Sequence, residues 1–459
     1  MQTSYASNLG AKRYIFGFVV LPFAVATMMH ALRVTSGIPL ADEWRWFADL
    51  LIPYFKGEIS FVRYLTGEYS LLSHTHFPAL GLLYLTCARW SCSLAVFTYV
   101  GLAAMLIGGG VLTLQAVRAG QRSIAMLLCG LTVLAAGCFC ITNDFPWLLV
   151  VFEYVYSLVA ICYLCFVDRY LHARLPLPSL LILTAITILC GDTVGLAAVI
   201  LSVAVFVVGG VRQPRLLKAA ILIMLVCLVL AALALGTLGT GVPVGVHSRS
   251  ETLAALFANP CDLLASLLHA FAQPLLDRVV LESLVGQRHL RLAQAVLGAV
   301  GLGLTAMVLV AWWRQKNAKI THLPVLFVLF GLLMWLLIIT SRYLDGGPYL
   351  MDAQRYVRNL AFVYVGAGLA LASLAPTRLT RSMAIAFSTF VTTSFVLAAV
   401  YQYRNAPYVL SYFENVRALL LSNPGGTELS SVIERCTGGY CAPTVEYLRG
   451  HGMTAFLQR

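Results

Sequence analysis

The sequence has little charge. Asp, Glu, Lys and Arg make up 11% of its 459 residues, and only 19 of those residues are acidic. The chain has no Pro- or Ser-rich linker and no stretch that resembles a separate soluble domain. No repeat with a period of about 20–50 residues is visible. This composition is typical of a polytopic helical membrane protein.

The signatures of several enzyme classes are also missing. The sequence contains no Walker-type phosphate loop, Rossmann fingerprint, nucleophile elbow or zinc-protease helix. Without a nucleotide-binding motif, a nucleotide-sugar donor is disfavoured. The net charge of +12 does not require a nucleic-acid partner, since the excess basic residues lie in short loops where they face anionic lipid headgroups.

Long apolar segments fill most of the chain, which is 60% hydrophobic with a mean hydropathy of +0.85. A membrane-spanning helix needs about 20 such residues. We predict an all-α fold with about eleven spans, in which the short fifth segment pairs with the sixth as a half-buried hairpin arm or spans by itself. The segments are 14–33, 91–117, 123–141, 147–167, 176–191, 193–210, 216–236, 291–313, 323–341, 357–375 and 382–402.

Basic residues indicate the orientation of these spans, because Lys and Arg collect in short cytoplasmic loops. Six alternate connections carry fourteen basic residues and a single acid, Asp168. We therefore expect a cytoplasmic amino terminus, an extracytoplasmic carboxyl terminus and a first span that is retained and not cleaved. The basic residues are Lys12, Arg13, Arg118, Arg122, Arg169, Arg174, Arg212, Arg215, Lys218, Arg314, Lys316, Lys319, Arg378 and Arg381.

Three sizeable segments fall on the opposite, outer side of the predicted topology. They are the loops 34–90 and 237–290, which belong to a transmembrane domain of residues 1–402, and a tail of residues 403–459. The apolar stretch 77–90 is predicted to be an amphipathic helix at the outer face.

The first outer loop, 34–90, holds a dense cluster of charged residues. Charged residues near a bilayer are costly, so such a cluster indicates a functional site. Its charged members are Asp42, Glu43, Arg45, Asp49, Lys56, Glu58, Arg63 and Glu68.

Twelve cysteines are present, and most lie within apolar segments, where they are expected to pack as small apolar residues. Cys436 and Cys441 differ, because they flank TGGY in the outer tail. Two glycines permit a tight loop, and the compartment permits oxidation. We predict a disulfide between them and no metal bound to them, since no His is adjacent.

Several short motifs occur in an order that resembles the GT-C superfamily of integral membrane glycosyltransferases. This superfamily includes bacterial protein O-mannosyltransferases and the lipid A aminoarabinose transferase. The motifs are PLADEW and SHTHFPALGLL in the first outer loop, TNDFPWLLVVFEY before the fourth span, GDTVGL at the sixth, and EYLRGHGMTAFLQR in the tail. Each motif is weak by itself, and the resemblance covers most of the chain by layout.

The resemblance implies roles for the acids of the first two outer loops. Asp42 would act as general base, with Glu43 beside it, although both also suit a solvated interfacial loop. Asp144 would orient substrate or serve as a helix N-cap before Pro146, and these alternatives are evenly matched. Glu153 lies about two turns inside a span, so it needs a partner or a wet cavity, and we favour a cavity-facing role.

Further candidates lie elsewhere on the predicted outer face. The stretch RYLDGGPYLMDAQRYVR carries Arg355, Tyr356 and Arg358, and arginine forks suit phosphate oxygens, although interfacial anchoring explains the same residues. His74 and His76 are expected to bind substrate through hydrogen bonds. With Asp42 they give only a weak zinc or manganese signal, so no metal or cofactor is predicted.

These expectations combine into one predicted activity. The protein would move a sugar from a polyprenyl-phosphate donor to a cell-envelope glycan or lipid, with inversion, in a bacterial inner membrane. Arg355, and secondarily Arg358, would stabilise the leaving phosphate. A transporter or flippase of a lipid-linked saccharide is the alternative, but such proteins carry repeats and interrupted helices that the sequence does not reveal. A polysaccharide polymerase is a third possibility; it would need large arginine-rich outer loops, and 237–290 is only modestly basic.

Overall fold

A computed structural model of the protein consists of helices joined by short connections, with no strand among the residues it describes. The described residues are 2–36, 38, 47–66, 78–90, 93–119, 123–141, 148–237, 249–315, 317, 321–352, 356–422 and 438–451. Within them the α-helices are α1 Gln2–Val34, α2 Ile52–Phe55, α3 Phe61–Thr66, α4 Pro78–Arg89, α5 Val96–Ala119, α6 Ile124–Cys138, α7 Leu148–Leu171, α8 Leu177–Cys190, α9 Asp192–Gly210, α10 Pro214–Thr237, α11 Arg249–Ala258, α12 Pro260–Ala272, α13 Arg278–Val285, α14 Leu290–Arg314, α15 Leu323–Gly346, α16 Val357–Ser373, α17 Arg378–Ser422 and α18 Gly438–Gly450. A π-helix, Phe47–Leu51, precedes α2, and a 3-10 helix, Gly347–Asp352, follows α15.

A helix occupies most of each of the eleven apolar segments, so the predicted all-helical architecture with apolar, membrane-type helices is confirmed. Within the described part of the chain, six helices are long and apolar enough to cross a membrane, or seven if one bent pair counts as a span. Other apolar helices are too short to count as spans; α6 has 15 residues and α16 has 17. A helix of 15 residues covers only about 22 Å, less than the roughly 30 Å of a bilayer core. The count of eleven therefore stays a prediction.

Helix α16 forms the centre of the molecule, because all 17 of its residues are buried. It packs against α6 on one side and α15 on another, with α5 and α14 nearby. The α6 contact is very close. A Cβ added at Gly130 of α6 would lie 2.5 Å from the backbone nitrogen of Ala372, and one added at Gly368 of α16 would lie 2.6 Å from that of Leu134. Reciprocal glycines thus allow the two backbones to touch.

The described part of the predicted outer segment 237–290 consists mainly of helices from residue 249 onward. Its helices α11 and α12 meet at an angle of 98° and form either a broken span or a re-entrant loop. Pro260 begins α12, where its missing N–H costs no helical hydrogen bond. Side chains of α15 hold α12 in place: the Tyr343 hydroxyl donates to Asp262 at 2.5 Å, and Trp335 Nε1 donates to Ser266 at 3.0 Å. This bend is a feature that the sequence does not reveal.

The three predicted outer segments meet at one end of the bundle. In the first, Phe47 packs against Tyr447 of α18, and the Phe55 ring lies 6.2 Å from His451. In the second, Asp277 accepts the amide of Gln402 at 2.8 Å, and Gln402 lies on α17, which continues into the predicted tail. The predicted domain boundary at 402/403 falls inside α17, a continuous helix of 45 residues. The helix expected over 77–90 is present as α4, and its position at the membrane surface stays a prediction.

The predicted inner connections meet at the opposite end. Asp168, at the end of α7, accepts hydrogen bonds from Thr321 and His322 before α15. The Gln315 side chain bonds to both backbone groups of Ala375. The Asp168 contacts join the connections after α7 and α14, and the Gln315 contacts join the connections after α14 and α16. Which face is cytoplasmic, and therefore the placement of both termini, stays a prediction.

Candidate functional site

Arg358 occupies the most unusual position among the predicted site residues. It is the second residue of α16, the fully buried central helix, and only 5% of its surface is exposed. A guanidinium is permanently charged, so placing it inside a membrane bundle is costly. Ionisable residues at such positions are retained at functional sites, where they face a cavity or a polar partner.

The ring of Tyr154 covers the Arg358 side chain. The guanidinium carbon lies 4.1 Å from the ring centroid, which is the geometry of a cation–π contact. Such a contact stabilises a desolvated cation by about 2 kcal/mol or more. Tyr154 belongs to α7 and directly follows Glu153, the acid that we predicted to face a cavity. The contact between Tyr154 and Arg358 therefore joins the second turn of α7 to the first turn of α16.

A narrow cavity lies beside this pair, between α5, α6, α7 and α16. Its walls are mostly apolar, and Arg358, Tyr154 and Ser157 provide its main polar groups. It is lined by Ala104, Met105, Gly108, Gly109, Leu112, Gly137, Cys138, Cys140, Tyr154, Ser157, Leu158, Ile161, Arg358, Phe362 and Val365. Glu153 is half-buried and is not part of the lining, so its cavity-facing role stays a prediction.

Ser157 presents a hydroxyl to the cavity. The residue is 7% exposed, and its Oγ has no hydrogen-bond partner among the described residues. A buried hydroxyl without a partner costs about 1–3 kcal/mol. Ser157 lies three residues after Tyr154, so both side chains share one face of α7. A ligand that bonds to this hydroxyl would remove that cost.

The cavity extends from the predicted outer end of the bundle toward its middle. Arg358 lies in the first turn of α16, whereas the α5 residues of the lining begin at Ala104, the ninth residue of a 24-residue helix. At about 1.5 Å per residue, the wall formed by α5 is about 12 Å or more from the start of that helix. The charge is thus at the outer end of the cavity and the apolar walls run inward.

The other predicted site residues are described only in part. Tyr356 is half-buried and packs with an apolar cluster of α15 that includes Ile339 and Tyr343, away from the cavity lining. Its substrate-binding role stays a prediction. The residues that lie outside the described part of the chain are Asp42, Glu43, His74, His76, Asp144, Arg355 and Cys436. The side chain of Cys441 is likewise not described, so the predicted disulfide is untested.

Sequence reasoning identified Arg358 but missed Tyr154 and Ser157. Both lie in an apolar helix, where a tyrosine or serine is not unusual. The available signal was their spacing after Glu153, which places three polar side chains within the first half of α7. Within the described residues no group of three His, Cys, Asp or Glu side chains is arranged to hold a metal ion.

Comparison with known proteins adds no further guide to the chemistry of this cavity. No family model matches the chain, and neither a curated protein nor a solved structure matches it.

Proposed function

We propose that this protein is a membrane glycosyltransferase that takes a sugar from a polyprenyl-phosphate donor and transfers it to a cell-envelope glycan or lipid. The observation that carries the proposal is the buried Arg358 at the outer end of an apolar cavity. The motif resemblance to the GT-C superfamily supplies the reaction class. The residues that line the cavity indicate what kind of ligand would bind there.

The cavity suits a ligand that is anionic at one end and apolar along the rest. Arg358 offers N–H donors in a planar fork, which matches the oxygens of a phosphate. The Ser157 hydroxyl adds a donor nearby, and Leu112, Ile161 and Phe362 provide apolar walls. A phosphate attached to an isoprenoid chain has both properties. A free nucleotide sugar has no apolar part for these walls.

In the proposed reaction the acceptor hydroxyl attacks the anomeric carbon of the donor sugar. A carbon–oxygen bond forms to the acceptor, and the bond between the anomeric carbon and the phosphate oxygen breaks. The acceptor proton passes to Asp42, and the bonding electrons leave with the phosphate. Arg358 stabilises the charge on that leaving phosphate, and Glu43 orients the acceptor. Arg355, the first choice from sequence, would assist from the same connection.

The test is a transfer assay with the purified full-length protein in vesicles, using a panel of polyprenyl-phosphate-linked hexoses and pentoses. Arg358→Gln should reduce transfer by about 10²-fold or more, because the leaving phosphate loses a charge-assisted contact. Arg404→Gln is the matched control, since Arg404 is exposed on α17. Asp42→Asn should reduce transfer by about 10²–10⁴-fold, and Glu43→Gln should be milder. Equal activity of Arg358→Gln and the control would refute the role of the cavity.

A transporter or flippase of a lipid-linked saccharide is the second candidate, and the bent pair α11–α12 favours it. Transporters bind substrate where spanning helices are interrupted, and this pair bends by 98°. The same vesicles separate the two functions. Movement of the lipid-linked sugar to the opposite leaflet with no new glycosidic bond, as measured by mass spectrometry, would replace the enzyme proposal with the transporter.

A further inference from the structure

We propose that two turns at the predicted inner end form a binding site for an anionic phospholipid whose headgroup carries two phosphates. The turns connect α7 to α8 and α9 to α10, and we call their five basic side chains the basic cluster. All five are exposed, and they are Arg169, Arg174, Arg212, Arg215 and Lys218. This inference does not depend on the proposed glycosyltransferase activity.

The first turn is rigid. Arg174 N–H donates to the carbonyl of Arg169 at 2.8 Å, and Ala173 N–H donates to that of Tyr170 at 2.9 Å. These two bonds define a Schellman motif, which requires a left-handed residue after the helix. Ala173 takes that conformation with φ 57°. The turn folds Arg174 back toward the end of α7, on which Arg169 lies.

A direct contact attaches the second turn to the first. Arg215 Nη2 donates to the carbonyl of Leu171 at 2.9 Å, and the Tyr170 hydroxyl donates to the Arg215 carbonyl at 3.3 Å. Arg215 thus binds a carbonyl that the end of α7 leaves open. Arg212 and Lys218 lie three residues before and after Arg215. The cations of both turns are therefore brought to one place.

The charge of this cluster is not neutralised by the nearest acid. Asp168 is the only acidic residue of the inner connections, and its two oxygens accept from His322 N–H and the Thr321 hydroxyl. Its carboxylate also lies 3.6 Å from His172. Five cations consequently face the surroundings from a small area. A single phosphate would neutralise only part of this positive charge, whereas the two phosphates of one headgroup would neutralise more of it.

Apolar surface adjoins the basic cluster. Val208 and Val211 at the end of α9 are 75% and 87% exposed, and Leu217 of α10 is 43% exposed. In a membrane protein such side chains face lipid tails. A ligand at this place therefore meets cations at the headgroup and apolar side chains at the acyl chains. Basic pockets between membrane helices on the cytoplasmic side of a membrane combine cations and apolar side chains in this way, and they bind lipids with two phosphates, such as cardiolipin.

Native mass spectrometry of the purified full-length protein in neutral detergent tests the proposal. Cardiolipin should bind about ten times more tightly than phosphatidylcholine. The double variant Arg174→Gln/Arg212→Gln, which leaves the Arg215 contact intact, should lower cardiolipin affinity at least five-fold. The matched control is Arg378→Gln/Arg381→Gln, because these exposed arginines lie on a different inner connection and carry the same charge.

These measurements distinguish a specific lipid-binding site from general electrostatic attraction of anionic lipid to a basic protein surface. Equal losses in the double variant and the control would overturn the proposal, as would equal affinity for cardiolipin and phosphatidylcholine. Displacement of the lipid by excess soluble pyrophosphate would also overturn it, because the cluster would then be a site for free phosphate. If thermal unfolding shows the double variant to be destabilised, Arg174→Gln/Lys218→Gln replaces it with the same expected loss.

Discussion

The carboxylate of Asp168 accepts the backbone N–H of His322 at 2.5 Å, although the two residues are 154 positions apart. His322 directly precedes α15, so Asp168 places a negative charge at the positive end of that helix. The Asp168 carboxylate also faces the ring of His172. That ring stacks on the ring of His322, with the ring centroids 4.8 Å apart. One acid therefore joins the end of α7 to the beginning of α15.

The first prediction concerns this helix cap. Asp168→Ala should lower the free energy of unfolding by about 1.5–3 kcal/mol, the usual contribution of a hydrogen bond to a charged group. Asp168→Asn should cost less, because an amide oxygen still accepts the His322 N–H. Thermal unfolding in detergent, followed by circular dichroism, measures both. Equal destabilisation by the two substitutions would show that charge, and not the hydrogen bond, is what matters.

The second prediction concerns pH. Burial lowers the pKa of His322 below its ordinary value of 6.5, the nearby His172 lowers it further, and Asp168 partly opposes both. The unfolded chain then binds more protons than the folded one just below pH 6.5, so stability should fall as the pH drops through that region. The thermal midpoint should decrease between about pH 7 and pH 5.5.

His322→Asn is the matched variant for that measurement, since asparagine does not titrate in this range. Its thermal midpoint should change less with pH than that of the wild type. An unchanged slope in the variant would place the titrating group elsewhere.

The third prediction concerns Asp277, which is 3% exposed and caps α13 by accepting the Val280 N–H at 2.8 Å. Burial raises the pKa of Asp277 above its ordinary value of 3.8, and the bonds from Val280 and Gln402 partly offset this. The folded state therefore binds more protons just above that value, and stability should fall as the pH rises through the folded-state pKa.

Two substitutions of Asp277 distinguish the contribution of its helix-capping hydrogen bond from the contribution of its negative charge. Asp277→Asn should preserve the cap and remove the pH dependence, so its stability at neutral pH should equal or exceed that of the wild type. Asp277→Ala should cost about 1–3 kcal/mol, because the Gln402 amide loses its acceptor. Chemical unfolding at two pH values provides the measurement. A destabilised asparagine variant would mean that the ionised carboxylate is needed.

The fourth prediction concerns the close contact of α6 and α16. Gly130→Ala should destabilise the protein by about 1–3 kcal/mol, because the added Cβ would meet backbone atoms that cannot move aside. Gly110→Ala is the control, since a Cβ at Gly110 of α5 has no atom within 4 Å. Alanine there should be neutral or stabilising by up to about 1 kcal/mol. Equal effects in thermal unfolding would contradict the packing argument.

The fifth prediction is the disulfide between Cys436 and Cys441. Alkylation before and after reduction, followed by peptide mass analysis, should show a difference of two hydrogens. The free Cys261, which is exposed on α12, is an internal control that should react without reduction. Two freely alkylated thiols in the native protein would exclude the bond.

The helical membrane fold was predictable because its signal is strong and local. Apolar runs such as 323–341 leave only helices as spanning structures, and each predicted run is helical. Arg358 was also recognisable, since an arginine at the edge of an apolar segment is conspicuous. Its depth was not predictable, because burial depends on which helices surround α16 and no local pattern encodes that choice.

Long-range polar contacts were the least predictable features. Asp168 was notable in the sequence as the single acid in the predicted inner loops. Its structural role depends on His322, which is 154 positions away.

The bend between α11 and α12 was missed because a proline at residue 260 is not unusual in a predicted outer loop. Contacts such as those with Tyr343 and Trp335 show that this segment belongs to the packed bundle, and they join residues far apart in the sequence.

The 45-residue helix α17 has a mechanical consequence. At about 1.5 Å per residue it is about 68 Å long, roughly twice the thickness of a bilayer core. Thr380 in its first turn donates a hydrogen bond to the Ala375 carbonyl, and Phe413 and Leu420 are buried near its other end. One continuous helix therefore links the predicted outer tail directly to the packed bundle, so a change in the tilt of one part requires either the same change in the other or a bend between them. Pro407, which removes one helical hydrogen bond, is where such a helix bends most easily.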